Sequence, residues 1–261
     1  MFTNSKIFFS RSTRTDEASP QSRVLETATG WLGYTSTGTR NEFADRAGYS
    51  GVTWAGAFID CVFFDSDVVI PACVYPASGL GEFLRDGRVV KNPQPGDIMF
   101  LNFSTGAPFD VMHVGLVADV SRWETDGQVG TIEACVNSGL AKSDPSLRGI
   151  FRRVRDGQEI LAFARPDFDR PKNEVQPALT IKPETVKPGR RNKDIGLVQE
   201  ALKVVTGLRY NTPDLFDGHT QQAYARWQRM TGRVGADASG LPDRASLQLL
   251  GERTRKFKLD A

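Results

Sequence analysis

The chain has 261 residues, 39% hydrophobic and 25% charged, which suits a soluble protein with one well-filled core and room for a smaller domain. Its formal net charge of +2 gives no case for nucleic acid as the main partner, and no run of about 18 apolar residues offers a membrane span. Three cysteines, an odd number with no paired framework, argue against a disulfide-stapled extracellular domain.

Residues 1–23 read as an N-terminal arm. Phe2, Ile7, Phe8 and Phe9 do not add up to an apolar stretch of signal-peptide length, and no small-residue cleavage site follows, so ordinary secretion is not expected. Residues 10–23 are polar and are expected to order only against a partner.

Residues 24–32 predict a first helix ending at Gly33, and a second opens near Thr53, with Trp54, Phe58 and Cys61 along its core-facing stripe. Asp60, Asp65 and Asp67 read as polar punctuation near that helix's end, and Cys73 as buried filler in the connection that follows. A short helix is expected over residues 79–85, and Asn92-Pro93-Gln94-Pro95-Gly96 is turn chemistry. The strands begin at Ile98-Met99-Phe100, continue through His113-Val114-Gly115-Leu116-Val117 and Gly130-Thr131-Ile132-Glu133, and alternate on through residues 151–154 and 160–163. Helices followed by an antiparallel sheet give an α+β domain over residues 24–168.

Residues 169–192 hold four prolines among Lys, Glu and Thr and read as a semi-extended linker. Three helices then fill residues 193–251. Asp194 is the expected cap of the first, with Ile195, Val198, Leu202 and Val205 on one face; the second covers about 220–230; the third starts near Pro242. A basic tail, residues 252–261 with Arg253, Arg255, Lys256 and Lys258, reads as a solvated end able to touch anionic polymers.

The chemistry centres on His113, with Glu133 on the next strand to orient it; a thiol nucleophile needs such an imidazole and the imidazole such a partner. Glu133, Cys135 and Asn137 are two apart on a strand and so are expected to share the face toward His113. Cys135 is thus a candidate nucleophile, but in mid-strand it lacks the helix N-terminus that lowers a thiol's pKa; an inert thiol and a binding or redox role stay open beside catalysis. Ser50-Gly51 and Ser138-Gly139 lack the strand-nucleophile-helix setting of a hydrolase elbow, and no His, Cys and carboxylate spacing suits zinc, so neither metal nor other cofactor is expected.

The order Thr53-Trp54-Ala55-Gly56-Ala57-Phe58, then Pro95-Gly96-Asp97-Ile98-Met99-Phe100, His113-Val114-Gly115-Leu116-Val117 and Thr131-Ile132-Glu133-Ala134-Cys135-Val136 resembles the papain-like peptidoglycan hydrolases of the CHAP and NlpC type. The resemblance implies helices packed on an antiparallel sheet, with His113 as base and Glu133 as its orienter. It places Ala55 where the family's W-C-x-x-F helix carries its nucleophile, and Cys135 where asparagine stands in an I-E-G-N pattern. Trp54 and Asn137 become candidate substrate-binding residues beside that site.

Residues 193–251 resemble the three-helix peptidoglycan-binding domain found beside many wall hydrolases, through Val198-Gln199-Glu200-Ala201-Leu202, Asp217-Gly218-His219-Thr220, Trp227-Gln228 and Gly240-Leu241-Pro242. Tyr224 and Trp227 are read as core rather than a sugar platform, and His219 as a loop residue rather than a metal ligand. Together the resemblances imply recognition of peptidoglycan and muropeptides by a phage-type protein with a degenerate, virion- or tail-associated hydrolase domain. The arm would meet other tail proteins, and the protein would reside in the phage tail or in the host cytoplasm before release. The alternative is an active amidase or endopeptidase in which Ala55 is an engineered inactivation or Cys135 a relocated nucleophile.

Overall fold

The computed structural model describes residues 18–37, 41–48, 53–102, 111, 113–137, 147–169 and 179–260. Most of the expected arm, both serine-glycine pairs and residues 170–178 of the expected linker lie outside the described residues. The described chain is mixed α+β, with an antiparallel sheet and eight α-helices.

Alternating side chains make a sheet that is apolar on both faces. Its strands are β1 (Thr35–Thr37), β2 (Val89–Val90), β3 (Ile98–Leu101), β4 (His113–Asp119), β5 (Gln128–Val136), β6 (Leu147–Asp156) and β7 (Ile160–Ala164), in the order β1-β6-β5-β4-β3-β7-β2. Ile98, Phe100, Val114, Leu116, Ile132 and Ala134 join a core shared with helices. The alternate residues Met99, Leu101, Val117 and Val129 make a second apolar layer on the other face with Phe163. Trp123, in the single-turn helix that precedes β5, meets Phe163 edge-on at 5.3 Å and borders that layer.

Four helices cover the first face: α1 (Pro20–Gly30), α2 (Glu42–Ala47), α3 (Ala55–Asp65) and α4 (Pro76–Arg85). The first begins earlier than the periodicity suggests, because Ser19 accepts the Ser22 N–H as N-cap and Pro20 suits the first turn. The second has no counterpart in the sequence reading; six residues hold too little periodicity, and its Asn41 cap and Gly48 left-handed terminus are the only signals. Every residue of α3 from Ala55 to Phe63 is buried, as befits a helix covered on all sides. Asp60 corrects its sequence reading: it lies inside the helix and accepts the N–H groups of Cys73 at 2.6 Å and Val74 at 2.9 Å, clamping the loop to α3. That loop presses so close that a Cβ on Gly56 would stand 1.9 Å from the Cys73 carbonyl oxygen.

Numbering the Trp123–Asp126 turn as α5, the remaining helices are α6 (Lys193–Thr206), α7 (Gly218–Met230) and α8 (Arg244–Thr254), which enclose a second core of Ile195, Val198, Leu202, Tyr224, Trp227 and Leu250. The caps differ from expectation. Asn192 caps α6, while Asp194 instead receives the Thr185 hydroxyl at 2.6 Å. Asp243 caps α8 in a reciprocal box with Ser246, leaving Pro242 outside the helix.

Two further corrections concern the linker and the tail. Strand β8 (Leu179–Ile181) pairs in parallel with β9 (Phe257–Leu259), so the stretch expected as linker ends in paired structure and buries Ile181 and Val186 in the second core. The basic tail is not a solvated end: α8 runs on to Thr254 and Phe257 is 1% exposed. The two cores touch at Phe64, whose ring meets Trp227 at 5.8 Å and lies under the Arg253 guanidinium at 4.3 Å, and the Ala72 N–H donates to the Val204 carbonyl at 3.0 Å. No described helix is long and apolar enough to cross a membrane.

Candidate functional site around His113 and Glu133

Strands β4 and β5 pair Leu116 with Ile132 and Val117 with Thr131. Continuing that register sets Gly115 against Glu133, and a Cβ on Gly115 would stand 2.8 Å from Glu133 Cγ. The missing side chain is what lets Glu133 lie across β4 and reach His113, whose Nε2 is 2.9 Å from Glu133 Oε2. The carboxylate is fully buried yet well supplied with donors. Arg155 Nε donates to Oε1 at 2.8 Å and Nη2 to Oε2 at 2.7 Å, while the Thr131 hydroxyl donates to Oε1 at 2.7 Å.

Burial alone would push the Glu133 pKa up, but the Arg155 and His113 hydrogen bonds outweigh it and hold it at about 2. An ionised carboxylate only accepts, so the His113 proton that faces it sits on Nε2 and Nδ1 becomes the basic nitrogen. This is the orientation a general base requires. Arg155, absent from the sequence reading, faces Glu133 from β6 and is raised in pKa mainly by that hydrogen bond. Arg152-Arg153-Val154-Arg155 is visible as an arginine-rich strand, but the sequence does not say which arginine meets Glu133.

Ala55, where the resemblance would put a nucleophile, lies elsewhere. Ala55 is the first residue of α3 and belongs to the same core as Val114 and Ala134. These two alternate with His113 and Glu133, so a side chain at 55 approaches from the opposite face and must pass the end of β4, where His113 is the first residue.

Cys135 departs from its expected place. Its φ of +61° and a register shift between Glu133 and Val136 break the alternation, so Glu133, Cys135 and Asn137 do not form one row. Cys135 packs instead against the helix-side core, with the Trp54 backbone at the N-cap of α3 close enough to favour its thiolate. The thiol therefore does have a helix N-terminus beside it, contrary to the mid-strand expectation. Burial raises its pKa, and the Trp54 N–H and Arg148 only partly offset that.

Other expectations also change. Trp54 is no substrate platform: it is 1% exposed, stacked on Phe43 with centroids 5.6 Å apart and edge-on to Tyr34. Asn137 is exposed, and its backbone carbonyl accepts from Arg153. Cys61 and Cys73 are buried thiols, the first pushed by desolvation up to about 12 and the second well above its ordinary value. His219 stands exposed in the first turn of α7 rather than in a loop. Tyr224 and Trp227 are core, as read: the first shares a hydrogen bond with the Ser246 hydroxyl and the second donates its indole N–H to the Ser246 carbonyl. Among the described residues no three His, Cys, Asp or Glu side chains gather as metal ligands. Comparison of the chain with protein-family models, curated proteins and solved structures finds no match.

Proposed function

We propose that the chain recognises bacterial peptidoglycan through a hydrolase-like, papain-type domain that keeps its base and orienter but has alanine at the usual nucleophile position, and that it serves as a phage-type, virion- or tail-associated wall-binding component. The observation that carries this reading is the buried His113–Glu133–Arg155 network, in which an ionised carboxylate fixes the imidazole tautomer. Burying such charges is costly unless they are fully paired, and a plain core would fill the same space with apolar side chains. With Ala55 offering no nucleophile, the polar face serves to hold a peptide rather than to cleave it.

Cys135 favours a second reading, that of a peptidoglycan amidase or endopeptidase with a relocated nucleophile. A non-glycine residue held at φ +61° beside the α3 N-cap is an outlier of the kind that clusters at reactive sites. In that reaction the Cys135 side chain would first have to turn from the helix-side core toward His113, lose its thiol proton to the imidazole and attack the amide carbonyl. The imidazolium would return the proton to the leaving amine, and water would hydrolyse the thioester.

Pelleting purified protein with sacculi, followed by assay of released muropeptides, separates the readings. Binding without release is expected, and Ala55→Cys is expected to add slow, thiol-dependent release. Absence of sedimentation with sacculi refutes wall recognition, whereas release by the unmodified chain that disappears in Cys135→Ser establishes the relocated thiol.

A further inference from the structure

The arginines of the C-terminal run do not all end in solvent. Arg255 follows α8 in a left-handed conformation and, with Arg253 and with Arg23 of α1, lines a cavity of about 320 Å³ at the seam between the two cores. The acids in the same wall are mostly engaged elsewhere. Asp67 is held by Arg253, and Asp167 by Arg88 at 2.6 Å. Glu252 accepts the Gln248 side-chain amide at 2.8 Å.

Two guanidinium groups are left without a carboxylate partner among the described residues. Arg23 donates only to neutral carbonyls, those of Ser66 at 3.2 Å and Ala18 at 2.9 Å. Arg255 buries its Nη1 with no hydrogen-bond partner at all. A buried donor left unmade is expensive, and a cation more so, which marks Arg255 as a guanidinium short of a counter-charge at the cavity wall. The planar fork of arginine fits the oxygens of a phosphate in pairs, and two guanidinium groups without a carboxylate partner stand there against the Glu252 carboxylate. The space exceeds what one such group fills, and Phe168 and Leu249 supply an apolar wall.

We propose that this seam cavity is an oxyanion site that takes a phosphate group carried on a small organic residue, with Arg255 and Arg23 as its ligands. The proposal stands apart from the reading of the His113 site and does not depend on it. Free phosphomonoesters and phosphodiester-linked anionic polymers share the required chemistry.

Titration calorimetry of the full chain at constant ionic strength, first with glycerol 1-phosphate and then with a glycerol-phosphate oligomer, tests it. Saturable binding is expected, weakened about tenfold or more by Arg255→Gln and by Arg23→Gln, about the loss of one charge-assisted contact. Tighter binding of the oligomer per phosphate identifies a polymer segment as the occupant, and equal or weaker binding a free monoester. The absence of saturable heat with both ligands, or binding that survives both substitutions within twofold, overturns the site. The unsubstituted titration decides on its own should Arg255→Gln fail to fold, with Arg23→Gln as the second variant.

Discussion

Glu133 shows how one missing side chain and one distant arginine set the chemistry of a neighbour. Its pKa is held at about 2, below the ordinary 4.5, so the folded state binds fewer protons than the unfolded chain between these values. The resulting stability is fully present above pH 4.5 and is lost as pH falls toward 2. Glu133→Ala should cost about 3 kcal/mol, because Arg155 is left without its partner, and should flatten that acid limb in urea titrations at a series of pH values. An acid limb unchanged in the variant would show that the carboxylate is not ionised as described. Asp60 carries the opposite sign. Desolvation raises it from 3.8 to about 7 despite the Cys73 and Val74 N–H groups, so the folded state binds the extra proton and stability declines as pH rises between those values. Asp60→Asn should abolish that decline while leaving the Glu133 limb below pH 4.5 in place. Midpoints that still fall by as much between pH 4 and 7 in the variant would assign the effect to another group. At this scale the strands that carry His113 and Glu133 were legible from their patterns. Arg155 was not, because its partnership depends on a register that single-strand patterns do not contain. The turn at Cys135 was equally hidden, for nothing in a cysteine announces φ above zero.

Among the elements, those with long periodic patterns were legible and those held by tertiary contacts were not. The strands β3, β4 and β5 and the helices α3, α6 and α7 follow from alternation or helical spacing. The short α2 depends on its caps and on Phe43 inserting among Trp31, Trp54 and Phe58. The β8–β9 pair joins Leu179 to Phe257 across nearly the whole helical segment, so neither strand carries a local sign of the other. That pair fastens both ends of the segment to one core. Phe257 is 1% exposed, and a Cβ on Gly251 would meet its ring at 2.9 Å and its carbonyl oxygen at 2.5 Å, a fit that only glycine permits. Phe257→Ala should therefore destabilise the helical segment by about 3–5 kcal/mol, the usual cost of emptying a buried aromatic site. The measurement is the denaturant midpoint followed by Trp227 fluorescence, and a loss under about 1 kcal/mol would mean that β9 frays in solution.

For the whole molecule, the question is whether the helical segment is a separable module or half of a joint structure. The sequence places it at residues 193–251, but its third helix runs on to Thr254 and its core also draws on Ile181, Val186 and Phe257 from outside those limits. Its outer surface is not free either. Phe64 of α3 enters beside Trp227, Arg253 reaches back to Asp67 and the Phe64 carbonyl, and Arg46 donates to the Met230 carbonyl at 3.4 Å. A fragment cut to residues 193–251 thus loses three buried apolar side chains, which exceeds what a domain of that size can spare. It should show little helix by circular dichroism, whereas residues 179–260 should be helical and melt cooperatively, at a lower temperature than the same segment in the full chain. Phe64→Ala should then split a single calorimetric transition of the full chain into two, since it removes an aromatic contact that links the cores while leaving both intact. A cooperative, helical melt from residues 193–251 alone would establish an autonomous module and make the seam incidental. A disordered 179–260 fragment would instead make the two cores one obligate folding unit, with Phe64 at its centre.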